Sequence, residues 1–210
     1  MARYVTEFIG TFFLVLTIGL TVLAAEPMAP LAIGSALMIM VYMGGHVSGA
    51  HYNPAVTLAL LMRNKVSSRD AVIYWVAQLL GAVVAGLVVC FATGRSFSVA
   101  PAATATPLQA LLLEALFTFA LALVVLNTAA SEKTRGNSYF GLAIGFTVMV
   151  GAFAAGPISG GAFNPAVGVG PSLVHAARGE ALAPVWIYLA GPLTGGAFAA
   201  WVFGMQEGKV

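Results

Sequence analysis

Long apolar segments dominate this sequence, and each has close to the ~20 residues that an α-helix needs to cross a bilayer. Only 8% of the residues are charged and the mean hydropathy is +0.95, whereas a soluble domain carries about 25% charged residues. These features predict an all-α membrane protein that forms a single domain over residues 1–210. The six predicted transmembrane helices lie at about residues 5–25, 30–47, 70–92, 107–129, 139–155 and 184–204.

The basic residues indicate how the chain is oriented. Cytoplasmic loops of membrane proteins are enriched in Lys and Arg. If both termini are cytoplasmic, only Arg95 and Arg178 lie outside. The basic residues that then lie inside are Arg3, Arg63, Lys65, Arg69, Lys133, Arg135 and Lys209. We therefore expect a multi-pass protein of the plasma or inner membrane with both termini cytoplasmic. The net charge of +2 is too small to indicate a nucleic-acid partner.

Two other features of the sequence have simple interpretations. The first apolar segment follows Arg3 and ends in small residues at Ala25, as a signal peptide does, but it is long for one and contains Glu7. We expect it to remain as the first span. Cys90 is the single cysteine and provides neither a disulfide nor a metal pair. We expect no cofactor and no metal site.

One short polar motif occurs twice. "SGAHYNPAV" begins at Ser48 and "SGGAFNPAV" begins at Ser159. "EFIGTF" from Glu7 likewise matches "EALFTF" from Glu114, and "YWVAQLLGA" from Tyr74 aligns loosely with "IYLAGPLTG" from Ile187. The chain is thus predicted to contain two repeats, at about 1–100 and 105–210. Because each repeat has three spans, the second enters the membrane from the opposite side, which makes the repeats inverted.

Each motif predicts a short helix that begins inside the membrane. Asn is a favoured N-cap and Pro is favoured at the first helical position, so Asn53-Pro54-Ala55 and Asn164-Pro165-Ala166 should each begin a helix. The apolar stretches that follow are ~8–9 residues, about 12–14 Å, which is less than half of a ~30 Å hydrocarbon core. The preceding stretches, "GGHVSGAHY" and "AGPISGGAF", are rich in Gly and unfavourable for a helix.

Irregular backbone at membrane depth is tolerated only where protein buries it or where it lines a water-filled cavity. Two such segments, entering from opposite faces, predict two re-entrant half-helices beside a continuous aqueous path.

Several motifs of this chain are typical of one protein family, namely the paired "NPA" motifs, "GHVSGAHYNPAV", "AQLLGA", "GPLTGG" and the segments of Glu7 and Glu114. Through these motifs the whole chain resembles the aquaporins and glycerol facilitators, the major intrinsic protein family. The resemblance implies an aquaporin-like fold, one pore per subunit, a homotetramer, and passage of water or small neutral solutes through the lipid bilayer. It also implies that Asn53 and Asn164 donate hydrogen bonds in the pore. The resemblance further implies that backbone carbonyls accept hydrogen bonds from the hydrogens of the passing water or alcohol, and these carbonyls would belong to Gly49, Ala50, His51, Gly160, Gly161 and Ala162.

The sequence departs from the family pattern at the predicted selectivity filter. An Arg usually follows the second motif, but here Val167 does. Spacing from the Asn residues places the other filter positions at Ile33, Ala152 and Gly161, with Phe153 as the alternative to Ala152. Such a ring is small, apolar and uncharged. Glycerol, urea, ammonia and metalloid hydroxides are therefore candidate solutes besides water.

A few polar side chains fall inside or beside the apolar segments. Glu7 and Glu114 could form a proton relay, or they could accept hydrogen bonds from backbone N–H groups and brace the irregular loops. Their equivalent positions in the two repeats favour the bracing role. His46 and His51 precede Asn53 at positions that match the family, and we interpret them as packing or loop-bracing residues and not as metal ligands.

Two other classes of protein share some of these features. A secondary transporter also uses inverted repeats and broken helices, but it would be expected to place coupling charges at the midplane. A non-conducting structural protein of the same fold is the second alternative. The sequence contains no nucleophile–base or metal constellation, so an enzyme is not expected.

The charge distribution predicts that tags at residues 1 and 210 are shielded from impermeant reagents in intact cells. Labelling after permeabilisation serves as the control. Labelling of either tag from outside would contradict the orientation.

Overall fold

The computed structural model describes residues 1–208 and consists of helices and loops. Six helices are long and apolar enough to cross a membrane, which confirms the prediction of six transmembrane helices. The α-helices are α1 (Ala2–Leu23), α2 (Ala29–Ser48), α3 (Pro54–Met62), α4 (Ser68–Thr93), α5 (Pro107–Val125), α6 (Phe140–Ser159), α7 (Pro165–Ala177) and α8 (Val185–Gln206). A π-helical turn at Leu126–Ala130 extends α5, and a 3-10 turn follows at Glu132–Thr134.

The two short helices begin where the sequence predicts. Pro54 and Pro165 occupy the first helical position, and Asn53 and Asn164 are the N-caps with extended backbone. The length of α7 differs from the prediction, since it has 13 residues and is therefore ~20 Å long. This exceeds half of a ~30 Å hydrocarbon core, so the length of ~8–9 residues predicted for the second short helix is wrong.

The Gly-rich stretches before the two Asn residues are more helical than predicted. Helices α2 and α6 continue through Ser48 and Ser159, so only the last four residues of each stretch, 49–52 and 160–163, are irregular. Gly49 and Gly160 end these helices in the left-handed region, with φ of 87° and 92°. Glycine adopts this conformation without steric penalty, which explains why both helices stop there.

The two halves of the chain interlock. Within each half the first helix packs against the last, α1 against α4 and α5 against α8, and α2 packs against α6 across the halves. The short helices cross over, since α3 packs against α8 and α7 packs against α4. The short helix of each half therefore packs against the last helix of the other half.

Contacts near the ends of the helices define two sides. Arg3 Nη1 is 2.8 Å from Asp70 Oδ2 at the start of α4, and Lys133 Nζ lies 3.3 Å from the carbonyl of Gln206 at the end of α8. We call this the terminal side. Arg95 and Arg178 lie on the opposite side, where Arg95 donates to the carbonyl of Leu23. The grouping matches the predicted distribution of basic residues, except that Lys209 lies outside the described residues.

Glycines set the closest helix crossings. A Cβ added at Gly34 in α2 would lie 2.6 Å from the carbonyl oxygen of Gly145 in α6, so these two backbones are in direct contact. Gly81 in α4 faces the backbone of α1, and in the second repeat Gly195 in α8 faces the backbone of α5 in the same way. If Gly81 of the first repeat is aligned with Gly195 of the second, Tyr74 aligns with Tyr188. The loose sequence alignment of Tyr74 with Ile187 is therefore wrong by one residue.

Gly34→Leu is expected to destabilise the fold by at least about 2 kcal/mol, as overpacking at a close contact does, because its side chain would collide with α6. Loss of monodisperse protein on heating in detergent measures the effect. Gly45→Ala in the same helix is the control, since its Cβ would lie 3.4 Å from the ring of Phe140, an ordinary contact. Equal stability of the two variants would contradict the close crossing.

Candidate functional site

The two N-cap asparagines bind each other's loops. The side-chain oxygen of Asn53 accepts from the N–H of Ala55 at 2.8 Å, while its Nδ2 donates to the carbonyl of Phe163 at 2.8 Å. Asn164 repeats this pattern, and its Nδ2 donates to the carbonyl of Tyr52 at 2.8 Å. A side-chain amide has two N–H groups, so each Asn retains one N–H for another acceptor.

The loop before each Asn has the same unusual backbone. Tyr52 and Phe163 have φ of 50° and 49°, a region that side chains larger than Gly rarely adopt. Their rings are fully buried, and the Tyr52 ring fills the space that the missing side chains of Gly10 and Gly44 leave open. Packing therefore holds the loops in this conformation. The other left-handed residues of the two loops are Gly49, Ala50, Gly160 and Gly161.

Glu7 binds the first loop with both carboxylate oxygens. Its Oε1 accepts from the Ser48 hydroxyl at 2.7 Å and from the N–H of His51 at 2.9 Å. Its Oε2 accepts from the N–H of Tyr52 at 2.7 Å and from Gln78 Nε2 at 2.8 Å. Four donors converge on the two oxygens of one buried side chain, and a carboxylate without a proton can accept all four hydrogen bonds.

Glu114 binds the second loop in the same way. It accepts from the Ser159 hydroxyl at 2.8 Å, from the N–H of Ala162 at 3.0 Å and from the N–H of Phe163 at 2.6 Å. Both glutamates are completely buried, and neither is among the residues that line the two cavities described next. This geometry favours the bracing role over a proton relay.

His46 does not join these contacts. Its side chain is exposed on α2, and it makes no hydrogen bond to any residue that the structure describes. The expectation that it braces the loop is therefore wrong, because the helical phase directs it away from the loop. The neighbouring His51 is the buried histidine of this region.

A central cavity of about 300 Å³ lies between the two halves. Asn53 and Asn164 both line it, and it extends to Val22, Ala29 and Pro30 near the side opposite the termini. The four predicted filter residues lie on its wall, namely Ile33, Ala152, Gly161 and Val167. Phe153 is not on the wall and is 47% exposed on the outside of α6, so of these two residues it is Ala152 that lines the cavity.

The wall of the central cavity is mostly apolar. Five of the six residues whose carbonyls were expected to face the path also line it, namely Ala50, His51, Gly160, Gly161 and Ala162. No charged residue is on this wall in the described part of the chain. The remaining wall includes Leu14, Ile18, Leu37, Leu121, Val125, Ile144 and Val148.

The connection between the two halves also contributes to the wall, which sequence reasoning missed. Phe97, Ser98 and Val99 line the central cavity. The buried Phe97 ring packs where Gly19 lacks a side chain, and the Ser96 hydroxyl lies 2.8 Å from Nδ1 of His175. The apolar residues Phe97 and Val99, set among small and polar neighbours, were the available signal that this connection is buried.

A second cavity of about 430 Å³ lies on the terminal side. His51 and Val125 line both cavities, so these two residues lie between the two spaces. Gly49 lines this second cavity and not the central one, which differs from its expected grouping with the other loop residues. The wall is more polar here, and includes Arg3, Ser48, Lys65, Ser67, Asp70, Tyr74 and Glu132.

Comparison with known proteins gives consistent matches over nearly the whole chain. The sequence profile of the family described as Major intrinsic protein matches residues 1–203. The chain is 36% identical over 225 residues to Glycerol uptake facilitator protein-like 6 of Lactiplantibacillus plantarum, covering 99% of this chain and 100% of that protein. It is 36% identical over 209 residues to Aquaporin NIP1-4 of Oryza sativa subsp. japonica, covering 95% of this chain and 74% of that protein.

A solved structure has the same fold. The aquaglyceroporin from Plasmodium falciparum superimposes with a TM-score of 0.81 at 23% sequence identity, and the match covers 95% of each chain. Because the sequence identity is this low, the similarity applies to the fold, that is, to the arrangement of the helices.

Asn53→Ala and Asn164→Ala are each expected to lower folding yield or water permeability, and to similar degrees. Each removes an N-cap, which contributes about 1 kcal/mol, and also the hydrogen bond to the opposite loop. Stopped-flow light scattering of vesicles, normalised to the amount of assembled protein, measures the permeability.

Thr106→Ala is the matched control, because Thr106 caps α5 through Gln109 and does not line either cavity. If both Asn variants assemble and conduct like the control, the paired motif is not the centre of the path.

Proposed function

Since the chain belongs to the major intrinsic protein family, we propose that its central and terminal-side cavities form one path across the membrane. The protein is a multi-pass membrane protein and a passive channel for water and small solutes. The observation that carries the proposed path is that both Asn amides line a cavity whose other walls are apolar.

The proposed mechanism follows from the hydrogen-bonding groups on the wall. Each Asn has one N–H left after binding the opposite loop, and this group can donate to the oxygen of a passing water or alcohol. Carbonyls of the two loops accept from the solute's hydrogens. The apolar remainder of the wall offers no further partners, so a solute is bound weakly and leaves quickly.

The ends of α3 and α7 disfavour cations in this path. Each helix N-terminus carries roughly +0.5 of a charge. A unit cation about 4 Å from both ends, at an effective dielectric of about 20, meets a repulsion of roughly 4 kcal/mol. The population of cations there falls about a thousandfold at this energy. The described wall of the central cavity supplies no carboxylate to offset the repulsion.

We assign the filter to Ile33, Ala152, Gly161 and Val167. This ring has no fixed positive charge, and Val167 is smaller than the Arg that the family resemblance leads one to expect. Neutral solutes such as glycerol, urea, ammonia or metalloid hydroxides are therefore proposed to pass in addition to water. A secondary transporter is disfavoured because the two buried carboxylates, Glu7 and Glu114, do not line the path.

The remaining assignments are part of the same proposal. Residues 1–210 act as one channel domain made of the two inverted repeats. The subunits assemble as a homotetramer in the plasma or inner membrane, with both termini cytoplasmic. Glu7 and Glu114 brace the loops, and the carbonyls of Gly49, Ala50, His51, Gly160, Gly161 and Ala162 accept hydrogen bonds from the solute along the path.

Val167→Arg tests the filter. The new cation is expected to narrow the opening and to repel a passing ion about 4 Å away by roughly 4 kcal/mol at a dielectric of about 20. Glycerol and urea flux should fall more than water flux, and any proton leak should shrink. Vesicle light scattering and an internal pH dye give these quantities.

Leu173→Arg is the control, since Leu173 lies on the same helix, is 47% exposed and does not line the cavity. A folded Val167→Arg variant whose solute-to-water ratio and proton leak match the control would show that Val167 is not in the constriction.

A further inference from the structure

An apolar groove opens on the outside of the molecule between α4 and α8. These two helices do not pack against each other within residues 1–208, and the short helices α3 and α7 lie between them and contact both. On the opposite side of the molecule, α2 and α6 close the junction of the two halves by direct packing. The groove has a volume of about 280 Å³, and its wall exposes no polar atom.

The groove lies on the axis that relates the two repeats. Equivalent residues of both halves line it, namely Pro54 and Pro165, Trp75 and Leu189, and Leu79 and Leu193. The first pair begins the two short helices, and the other two pairs have the same spacing as Gly81 and Gly195. Because the repeats are inverted about an axis in the membrane plane, a site built equally from both lies near the midplane of the bilayer.

The polar groups at the starts of α3 and α7 are already paired. Pro54 and Pro165 have no N–H at the first helical position. The N–H groups of the next residues, Ala55 and Ala166, donate to the Asn side chains. Trp75 Nε1 donates to the carbonyl of Pro54 at 3.1 Å, so the indole ring lines the groove with its polar atom satisfied. Hydrocarbon can therefore contact this wall at no polar cost.

Hydrocarbon suits the groove better than water or a second copy of the chain. An ordered water needs about two to four polar partners, and this wall offers none. Helices approach each other closely in membranes through small residues, but the glycines of α4 and α8 are buried inside the chain. The exposed residues beside the groove on α4 include Val76 and Leu80, each 54% exposed. A flexible chain can fill an irregular groove that a straight helix would bridge.

We propose that the groove binds the distal half of a lipid acyl chain, which packs against Pro54 and Pro165 at the midplane. The headgroup stays at the membrane surface, since half of a ~30 Å hydrocarbon core separates it from the groove. The groove therefore recognises the chain and not the headgroup, and a lipid of either leaflet can supply it. This site is independent of the proposed path, because none of its residues lines the central or the terminal-side cavity.

Quenching of Trp75 fluorescence by brominated lipids tests the site. Trp186→Phe and Trp201→Phe leave Trp75 as the single tryptophan. The protein is reconstituted in phosphatidylcholine vesicles with a rising fraction of a lipid that carries bromine near the methyl end of both chains. If one chain occupies the groove, the fluorescence should fall in a straight line with this fraction. Contact with several chains would make it fall faster than linearly, because each chain quenches independently.

A reporter at the same depth outside the groove is the matched control. Leu80→Trp is introduced together with Trp75→Phe into the same background. Residue 80 follows Leu79 along α4, is 54% exposed and does not line the groove. Its fluorescence should fall faster than linearly. Lipids brominated beside the ester should quench both reporters less than the methyl-end bromines do, since both reporters lie near the midplane.

Val169→Phe fills the groove from α7. Val169 is part of the wall, so the larger side chain should displace the lipid chain and remove most of the quenching of Trp75. Val150→Phe is the control and should leave the quenching unchanged, since Val150 is 54% exposed on α6 and lines neither cavity nor the groove. If the single-tryptophan chain does not assemble, the difference between the parent and Trp75→Phe gives the same signal.

Three results would overturn the proposal. Curvature equal to that of the Leu80→Trp reporter would make the groove part of the general lipid shell. Fluorescence of Trp75 that methyl-end bromines do not quench would show that protein, such as a second copy of the chain, covers the groove. An assembled Val169→Phe variant with parental quenching would place the lipid chain outside the groove.

Discussion

Two hydrogen bonds at the centre of the molecule determine where everything else lies. Asn53 donates to the carbonyl of Phe163 and Asn164 donates to the carbonyl of Tyr52, so each half of the chain is bound by the cap of the other. Backbone polar groups at membrane depth must be satisfied within the protein. Here the opposite Asn takes a carbonyl of each loop, and a buried Glu takes its N–H groups. The loops can then leave helical geometry without facing lipid.

The loops depend on shape as well as on hydrogen bonds. Tyr52 and Phe163 adopt a backbone conformation that costs ~1–3 kcal/mol when a residue other than Gly occupies it. Their buried rings supply the compensating packing, in space left free by Gly10 and Gly44 for Tyr52 and by Gly151 for Phe163. Small residues in the spanning helices are therefore as necessary to the path as the polar residues that line it.

The two halves share a backbone but differ in the side chains behind it. The first half places the polar chain of Glu7, Gln78, Thr57 and His51 beside the path. The second half fills the corresponding region with the Tyr188 ring. Backbone symmetry supplies a common scaffold in which each half carries an Asn donor, while side-chain asymmetry makes one entrance more polar than the other.

The sequence alone predicted the six spans, the two capped half-helices and the inverted relation of the repeats. These features depend on local chemistry, namely the length of apolar runs, the capping preference of Asn-Pro, and the odd number of spans in each repeat. The sequence also identified Glu7 and Glu114 as carboxylates inside the membrane-spanning segments. Local chemistry was insufficient for the ends of helices, because α2 and α6 continue through Gly-rich residues once neighbouring helices pack against them.

Tertiary structure alone decided which side chains reach the path. The phase of α2 leaves His46 exposed, whereas the left-handed loop after it buries His51. The rotation of α6 puts Ala152 on the cavity wall and Phe153 outside it. The connection at Phe97–Val99 joins the wall through contacts with distant helices. Each of these outcomes depends on the relative rotation and packing of separate elements, and spacing along one chain does not encode that information.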